Sequence, residues 1–412
     1  MLGNAGRVDD VTSKKGAGLL LSLGYKSRLI VVVSYNRAAL ILLALFATSA
    51  CGGTSAVPAG ANYSAFPISG LGATNGALAD TTSMLKKLKK DVVIGSTVDP
   101  KNGDAGPRAI SIVQTNNALK AGQLLVCNFD DKAGKAGQGT TIEVLDPKPG
   151  SQPKRVAQSN DIEGCDGAAV TGSDQIFASG LLGKAVVDFT AKGIIKKKYS
   201  GAPFGSPFSD FNNGKVPKEY QPDYLWVSDV DTGSIISYSV DFFGNGKPLE
   251  VATGFAVNKS GPTARLGPSG LQYDAPHDIL YIVDGMTNTL VEFTGASDLL
   301  EKDEIVVLSG GKTFKCKAKK FTCGKLIYSG SPLNAPLAAT LLPNGNLIVA
   351  NTKGTANTLV ELTPAGQVLD TRVVDKGAAQ GVFGLAASGT GDSNTVLYFT
   401  DKNDNSVHEL EP

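Results

Sequence analysis

Five side chains able to hold a cation or the hydroxyls of a sugar recur along the chain at a nearly constant interval. They are Asn128, Asp229, Asp284, Asn351 and Asp401, with Gly180 in the remaining place of the series. Successive members are 52, 49, 55, 67 and 50 residues apart. Carboxylate and amide oxygens gathered at one spot suit a divalent cation, the one cofactor these residue types suggest. The plainer use is structural. Asp and Asn open tight turns because their side chains accept from backbone N–H groups two residues on. Asp284 with Asn288, and Asp401 with Asn405, fit that use. A second polar set is Arg108, Asp166, Ser269 and Gln380. Arg108 with Asp166 could orient a polar ligand, or form a surface ion pair of little energetic consequence. Nucleophilic chemistry has no footing. No serine sits in a G-x-S-x-G elbow, and the two histidines, His277 and His408, stand in a turn and a strand.

These residues punctuate a larger pattern. The stretch from Gly267 to Phe293, GPSGLQYDAPHDILYIVDGMTNTLVEF, reads as three short strands separated by polar turns. Weaker copies recur from Ala109 onward, beginning with AISIVQT, QLLVCNF, TTIEVLD and PKRVAQS. The third copy has an unclear first strand around Phe204 to Phe211. The fourth is closed by EIVVLSG, and the last stops after FGLAAS, TVLYFTD and SVHELEP. Four short strands repeating at about 50 residues predict a propeller. The last unit lacks a fourth strand, and DVVIGST, Asp91 to Thr97, has no strand partner nearby in sequence. The fold class expected is therefore all-β: a six-bladed propeller of four-stranded blades, closed by an N-terminal strand. In such a ring the turns after second strands share one face with the starts of the innermost strands. Asp229, Asp284, Asn351 and Asp401, with Arg108 and Asp166, would circle one mouth of the central channel.

The unit PSGLQYDAPHDILYIVDGMTNTLVEF is similar to NHL repeats, and FGLAAS with TVLYFTDKNDNSVHEL is a second match. The resemblance runs from Ala109 to Pro412 and is weakest from Phe204 to Tyr220. It implies a propeller, a fold that hosts many functions. Six-bladed propellers of the gluconolactonase class are metal-dependent lactonases with carboxylates and amides around a divalent ion at the channel mouth. This chain has those residue types, but no motif maps onto that class residue by residue.

Upstream, Arg37 precedes the apolar run Ala38 to Phe46, and ATSACGG follows. Small residues before a cysteine resemble the lipobox of bacterial lipoproteins, with Thr48 where leucine is usual. The resemblance implies lipidation at Cys51. Ala38 to Ala50 is shorter than the ~20 residues of a membrane span; an uncleaved anchor and an ordinary signal peptide are the alternatives. The expected organisation is a signal peptide over 1–51, a flexible tether over 52–90 and the propeller over 91–412. The tether would end in a short helix, Leu78 to Lys90, with Leu85 and Leu88 inward. Four further cysteines in an exported chain permit disulfides. Cys316 could pair with Cys323 across a small hairpin, and Cys127 with Cys165 between repeats, although three connectivities stay open. Phe204, Phe208, Phe211, Tyr220 and Trp226 are the one aromatic concentration. A net charge of +1 without a basic stripe argues against nucleic acid. The reading is a propeller held to the membrane by a lipid, in the periplasm or at the cell surface, binding a protein or glycan. The alternative is a metal-dependent hydrolase or lactonase at the channel mouth.

Overall fold

Val, Ile, Thr and aromatic residues at alternating positions, broken by Gly, Asn and Asp, favour short paired strands. The computed structural model describes residues 81–205, 207–212, 223–240, 247–317 and 322–412, which belong to one compact unit. They form six sheets. The inner strands are Ala105–Ile112, Cys165–Val170, Pro207–Asn212, Pro268–Asp274, Pro336–Leu341 and Val382–Ser388, in blades 1 to 6. Each touches the inner strands before and after it, and the sixth touches the first, so the sheets stand in a ring. Lys90–Ser96 pairs antiparallel with Ser406–Glu411 and completes blade 6. A ladder between the two ends of the propeller thus replaces an open edge.

Both faces of each blade are buried, and strand alternation decides which neighbour a side chain meets. In blade 4, Leu280 and Ile282 pack against Trp226, Ile235 and Val251 of blade 3. Tyr281 and Val283, pointing the other way, pack against Leu347, Val349 and Val360 of blade 5. Each such side chain contributes roughly 1.5–3 kcal/mol when buried.

Three local expectations are corrected. EIVVLSG does not close blade 4. Ile305–Leu308 instead runs parallel to Leu249–Thr253 of blade 3, Thr313–Cys316 pairs beyond it, and that sheet has six strands. Blade 4 is closed by Cys323–Ser329. A parallel pair needs a long crossover, which the excursion through blade 4 supplies, and Ile305 and Val307 fill the cluster around Val251, Ala252 and Phe255. For the same reason the Cys316–Cys323 disulfide does not span a hairpin but joins the sheets of blades 3 and 4. Cys127–Cys165 likewise joins blade 1 to blade 2. The third correction is the helix. Among the described residues, Met84 to Leu88 make one turn, closed by the Met84 carbonyl accepting from Lys87 and Leu88. Buried Glu361 takes the donors a helix would leave open: the Met84 N–H at 3.0 Å, the Leu85 N–H at 2.8 Å and the Ser83 hydroxyl at 2.7 Å. Met84, Leu85 and Leu88 are buried against side chains of blades 5 and 6.

Cys51 and the expected signal peptide lie outside the described residues, as does the tether up to residue 80. No helix among the described residues is long and apolar enough to cross a membrane.

Candidate functional site at the channel mouth

Every inner strand carries one residue more than the strand it pairs with, at the same height in the ring. The register shifts between Pro107 and Ala109, Cys165 and Gly167, Pro207 and Ser209, Pro268 and Leu271, Pro336 and Ala338, and Val382 and Leu385. A bulge of this kind re-aims a side chain. The residues following the position at which each shift begins are Arg108, Asp166, Phe208, Ser269, Leu337 and Phe383. Phe383 thus holds in blade 6 the place Gln380 was expected to hold. Gly384 follows it because a Cβ there would lie 2.6 Å from the Arg108 carbonyl oxygen. Only glycine lets two inner strands approach so closely.

Phe129, Leu181, Val230, Leu266, Leu337 and Phe383 form one buried cluster. They lie in or beside each of the six blades. Arg108 lies among them, its guanidinium carbon 3.3 Å from the Phe129 ring centre and 4.2 Å from that of Phe383. Its Nη1 donates to both oxygens of Asp166, at 2.9 and 3.2 Å. The two side chains are 3% and 1% exposed, so this is a desolvated pair and not a surface one. Nearby, Lys402 Nζ lies 2.6 Å from Asp130 Oδ2. Burial pushes the Asp166 carboxyl up to about 6, with Arg108 pulling it back and Asp130 adding to the rise. Arg108 Nε and Asp130 Oδ1 are buried without a hydrogen-bond partner.

The regularly spaced Asp residues direct oxygens into the backbone of the turns that follow them, whereas Asn351 and Asn128 bond the backbone of other loops. Asp284 Oδ1 accepts from the Met286 N–H at 2.8 Å, and Oδ2 from the Thr287 hydroxyl at 2.8 Å. Asp229 accepts from Asp231, Thr232 and Gly205 N–H groups. Asp401 accepts from Asn403 N–H, and Asn351 from Asn334 N–H. Asn351 Nδ2 donates to the Pro332 carbonyl and Asn128 Nδ2 to that of Thr97. Burial raises the Asp284 and Asp401 carboxyls, Asp401 to about 6. The structure therefore brings Arg108 and Asp166 together at the axis, and holds Asp229, Asp284, Asn351 and Asp401 each within its own blade. Asp130, Lys402, Phe129 and Phe383 escaped sequence reasoning; the signal was their place at a strand boundary, Phe129 and Asp130 ending one strand, Lys402 following another and Phe383 coming second in a third.

A divalent ion does not fit the axial set. It needs several converging oxygens, whereas both axial carboxylates face cations and the remaining bulge side chains described are Ser269, Leu337 and Phe383. Elsewhere among the described residues, Asp401, Asp404 and His408 place ligand-type atoms within 4.8 Å of one another. Both ring nitrogens of His408 are already engaged by carboxylates, Nδ1 by Asp91 and Nε2 by Asp404. His277 pairs with Asp274 at 2.7 Å on an exposed turn. Phe204 and Trp226 are core residues, Phe204 packed with Tyr199 and Tyr238 and Trp226 tilted against Tyr273. Tyr220 and the side chains of Phe208 and Phe211 lie outside the described residues.

An accessible concavity on the mouth face lies off the axis, in blade 5. It is a cleft of about 380 Å³ bordered by Ser331, Asn334, Asn351, Lys353, Thr355 and Thr371. The loops before the inner strand and after the second strand form its walls. Its lining mixes hydroxyl and amide groups and one ammonium with the apolar side chains of Pro332, Leu333, Ala356 and Val373.

No family model matches the chain, and no curated protein does. Solved structures do. The chain is similar in fold to a gluconolactonase from Xanthomonas campestris, at 10% identity over 78% of this chain and 89% of that one, with a TM-score of 0.51. It is also similar to a virginiamycin B lyase from Staphylococcus aureus, at 13% identity over 78% and 85%, with a TM-score of 0.46. At such identities the likeness is one of fold.

Proposed function

We propose that this protein is an exported, lipid-anchored propeller that works by binding, and that it takes a glycan on its mouth face in the cleft beside Asn351. The observation that carries this reading is the burial of the charged pair at the inner ring. With Arg108 and Asp166 only 3% and 1% exposed, recognition falls to the cleft, whose hydroxyl and amide groups suit sugar hydroxyls and whose apolar side chains suit the face of a sugar ring. Two disulfides support an oxidising compartment, and the lipobox-like ATSACGG supports the anchor. Screening the protein against cell-envelope glycans should give binding that Lys353→Ala with Thr355→Val weakens about tenfold. Binding unchanged by that double variant, or absent throughout, would remove the assignment. Globomycin, or Cys51→Ser, should leave an unprocessed precursor.

The second reading is a hydrolase or lactonase at the mouth, favoured by the fold shared with the gluconolactonase. Its divalent-metal form is opposed by the axial residues. Lactone turnover that survives a chelator would support a hydrolase without the ion. Turnover restored only by calcium or zinc would overturn the binding reading.

A further inference from the structure

We propose that His408 is a pH-dependent clasp on the strand that closes the ring, bridging Asp91 to Asp404 in its doubly protonated form. The geometry requires two donors. Nδ1 lies 2.8 Å from Asp91 Oδ1 and Nε2 lies 2.9 Å from Asp404 Oδ2. Carboxylates accept, and a neutral imidazole has one N–H to give; the imidazolium has two. The ring is fixed by stacking on Phe399, centroids 4.8 Å apart and planes 19° apart. At 13% exposure it still reaches solvent for proton exchange.

The position matters more than the bond. Asp91 belongs to the closing strand Lys90–Ser96, and Asp404 to the turn before the last strand. The bridge therefore ties the two ends of the propeller beside the backbone ladder, in which Val93 faces His408. The surrounding charges favour the cation. The closing strand contributes Asp91, and Lys90, which is turned to Glu411. The last strand contributes Glu409 and Glu411; the strand and turn before it contribute Tyr398, Asp401 and Asp404. Asp375 of blade 5 acts on Asp401. Burial lowers the His408 pKa, but the bonds to Asp91 and Asp404 more than offset that and leave it above its ordinary value. A raised folded pKa means that the stabilisation is complete below about 6.5 and is lost as pH rises through the folded value. Once the proton leaves, one carboxylate faces a lone pair, and the closing strand is released before the disulfide-joined seams.

Amide exchange of the full chain, corrected for intrinsic rates, measures this between pH 5.5 and 9. Protection of Lys90–Ser96 should fall with rising pH, about tenfold for each unit by which the folded pKa exceeds the ordinary one. Protection of Pro336–Leu341 should not change. His408→Gln should abolish the pH dependence at the closing strand, and the same dependence persisting in that variant would overturn the proposal. If His408→Gln fails to fold, nitrogen chemical shifts of the one histidine left in His277→Asn decide the matter. Both ring nitrogens should be protonated at pH 6, and Asp91→Asn or Asp404→Asn should each lower the titration midpoint. A neutral ring at pH 6, or a midpoint that neither substitution moves, would overturn it.

Discussion

Arg108 and Asp166 stand where a propeller presents side chains to its axis, yet each uses its charge on the other. A buried pair of this kind is costly to break and cheap to replace. Arg108→Met leaves Asp166 buried and alone, and chemical denaturation should show a loss of about 3–5 kcal/mol. Arg108→Met with Asp166→Leu should recover most of it, since the neighbours are Phe129 and Phe383. A double variant as unstable as the single would mean the pair contributes net stability. The pH dependence follows from the Asp166 carboxyl at about 6. Its folded value exceeds the unfolded one, so its contribution is complete below about 4 and declines as pH rises towards 6. The stability difference between wild type and Asp166→Asn should therefore shrink across that window; a constant difference would show that Asp166 does not titrate there. At the turns, Asp284→Ala removes the acceptor for two N–H groups and a hydroxyl, and should cost about 1–2 kcal/mol without altering ligand binding.

At the scale of elements, the seams between blades carry the stability that matters. Cys127–Cys165 and Cys316–Cys323 tie blades 1 to 2 and 3 to 4. The turn at Met84 to Leu88 is wedged at blades 5 and 6, and Lys90–Ser96 closes blade 6. Deleting Lys90–Ser96 removes a whole ladder and exposes the edge of Ser406–Glu411. That deletion should abolish cooperative melting or cause association through the bare edge, visible by light scattering. A deletion variant that melts like the parent would show that the ring does not depend on this closure. Gly384→Ala tests the axial packing. Its methyl meets the Arg108 backbone at a distance no Cβ tolerates, and the expected loss is about 1–3 kcal/mol. Glu361 illustrates how an element can be misread locally. Leu78 to Lys90 has helical spacing, and a carboxylate from blade 5 even caps the turn's first N–H groups, but Arg372 takes the Leu88 carbonyl and Lys90 already begins the closing strand.

For the whole molecule, closure of the ring explains why so little of its charge is available for chemistry. Six blades converge, Phe129, Leu181, Val230, Leu337 and Phe383 form a buried cluster at the inner ring, and the charges buried with them pair. Calcium or zinc should therefore leave the melting temperature unchanged. A rise that disappears in Asp166→Asn would mean that an ion enters the axis after all, by displacing Arg108.

Much of this architecture was legible in the chain, because strand alternation and turn residues are local properties. The runs around Leu280 to Val283, the turn at Asp284 to Asn288 and the interval of about 50 residues specify blades and their number, and the unpartnered DVVIGST specifies how they close. The partners of charged side chains were not legible. Arg108 meets Asp166, and His408 meets Asp91, across 58 and 317 residues of sequence. Only the bulge register and the closing of the ring bring them within bonding distance. The same holds for Ile305–Leu308, whose pattern predicts a strand but not a sheet. Periodicity fixes which way a side chain points from its own strand, and only packing decides which blade it then faces.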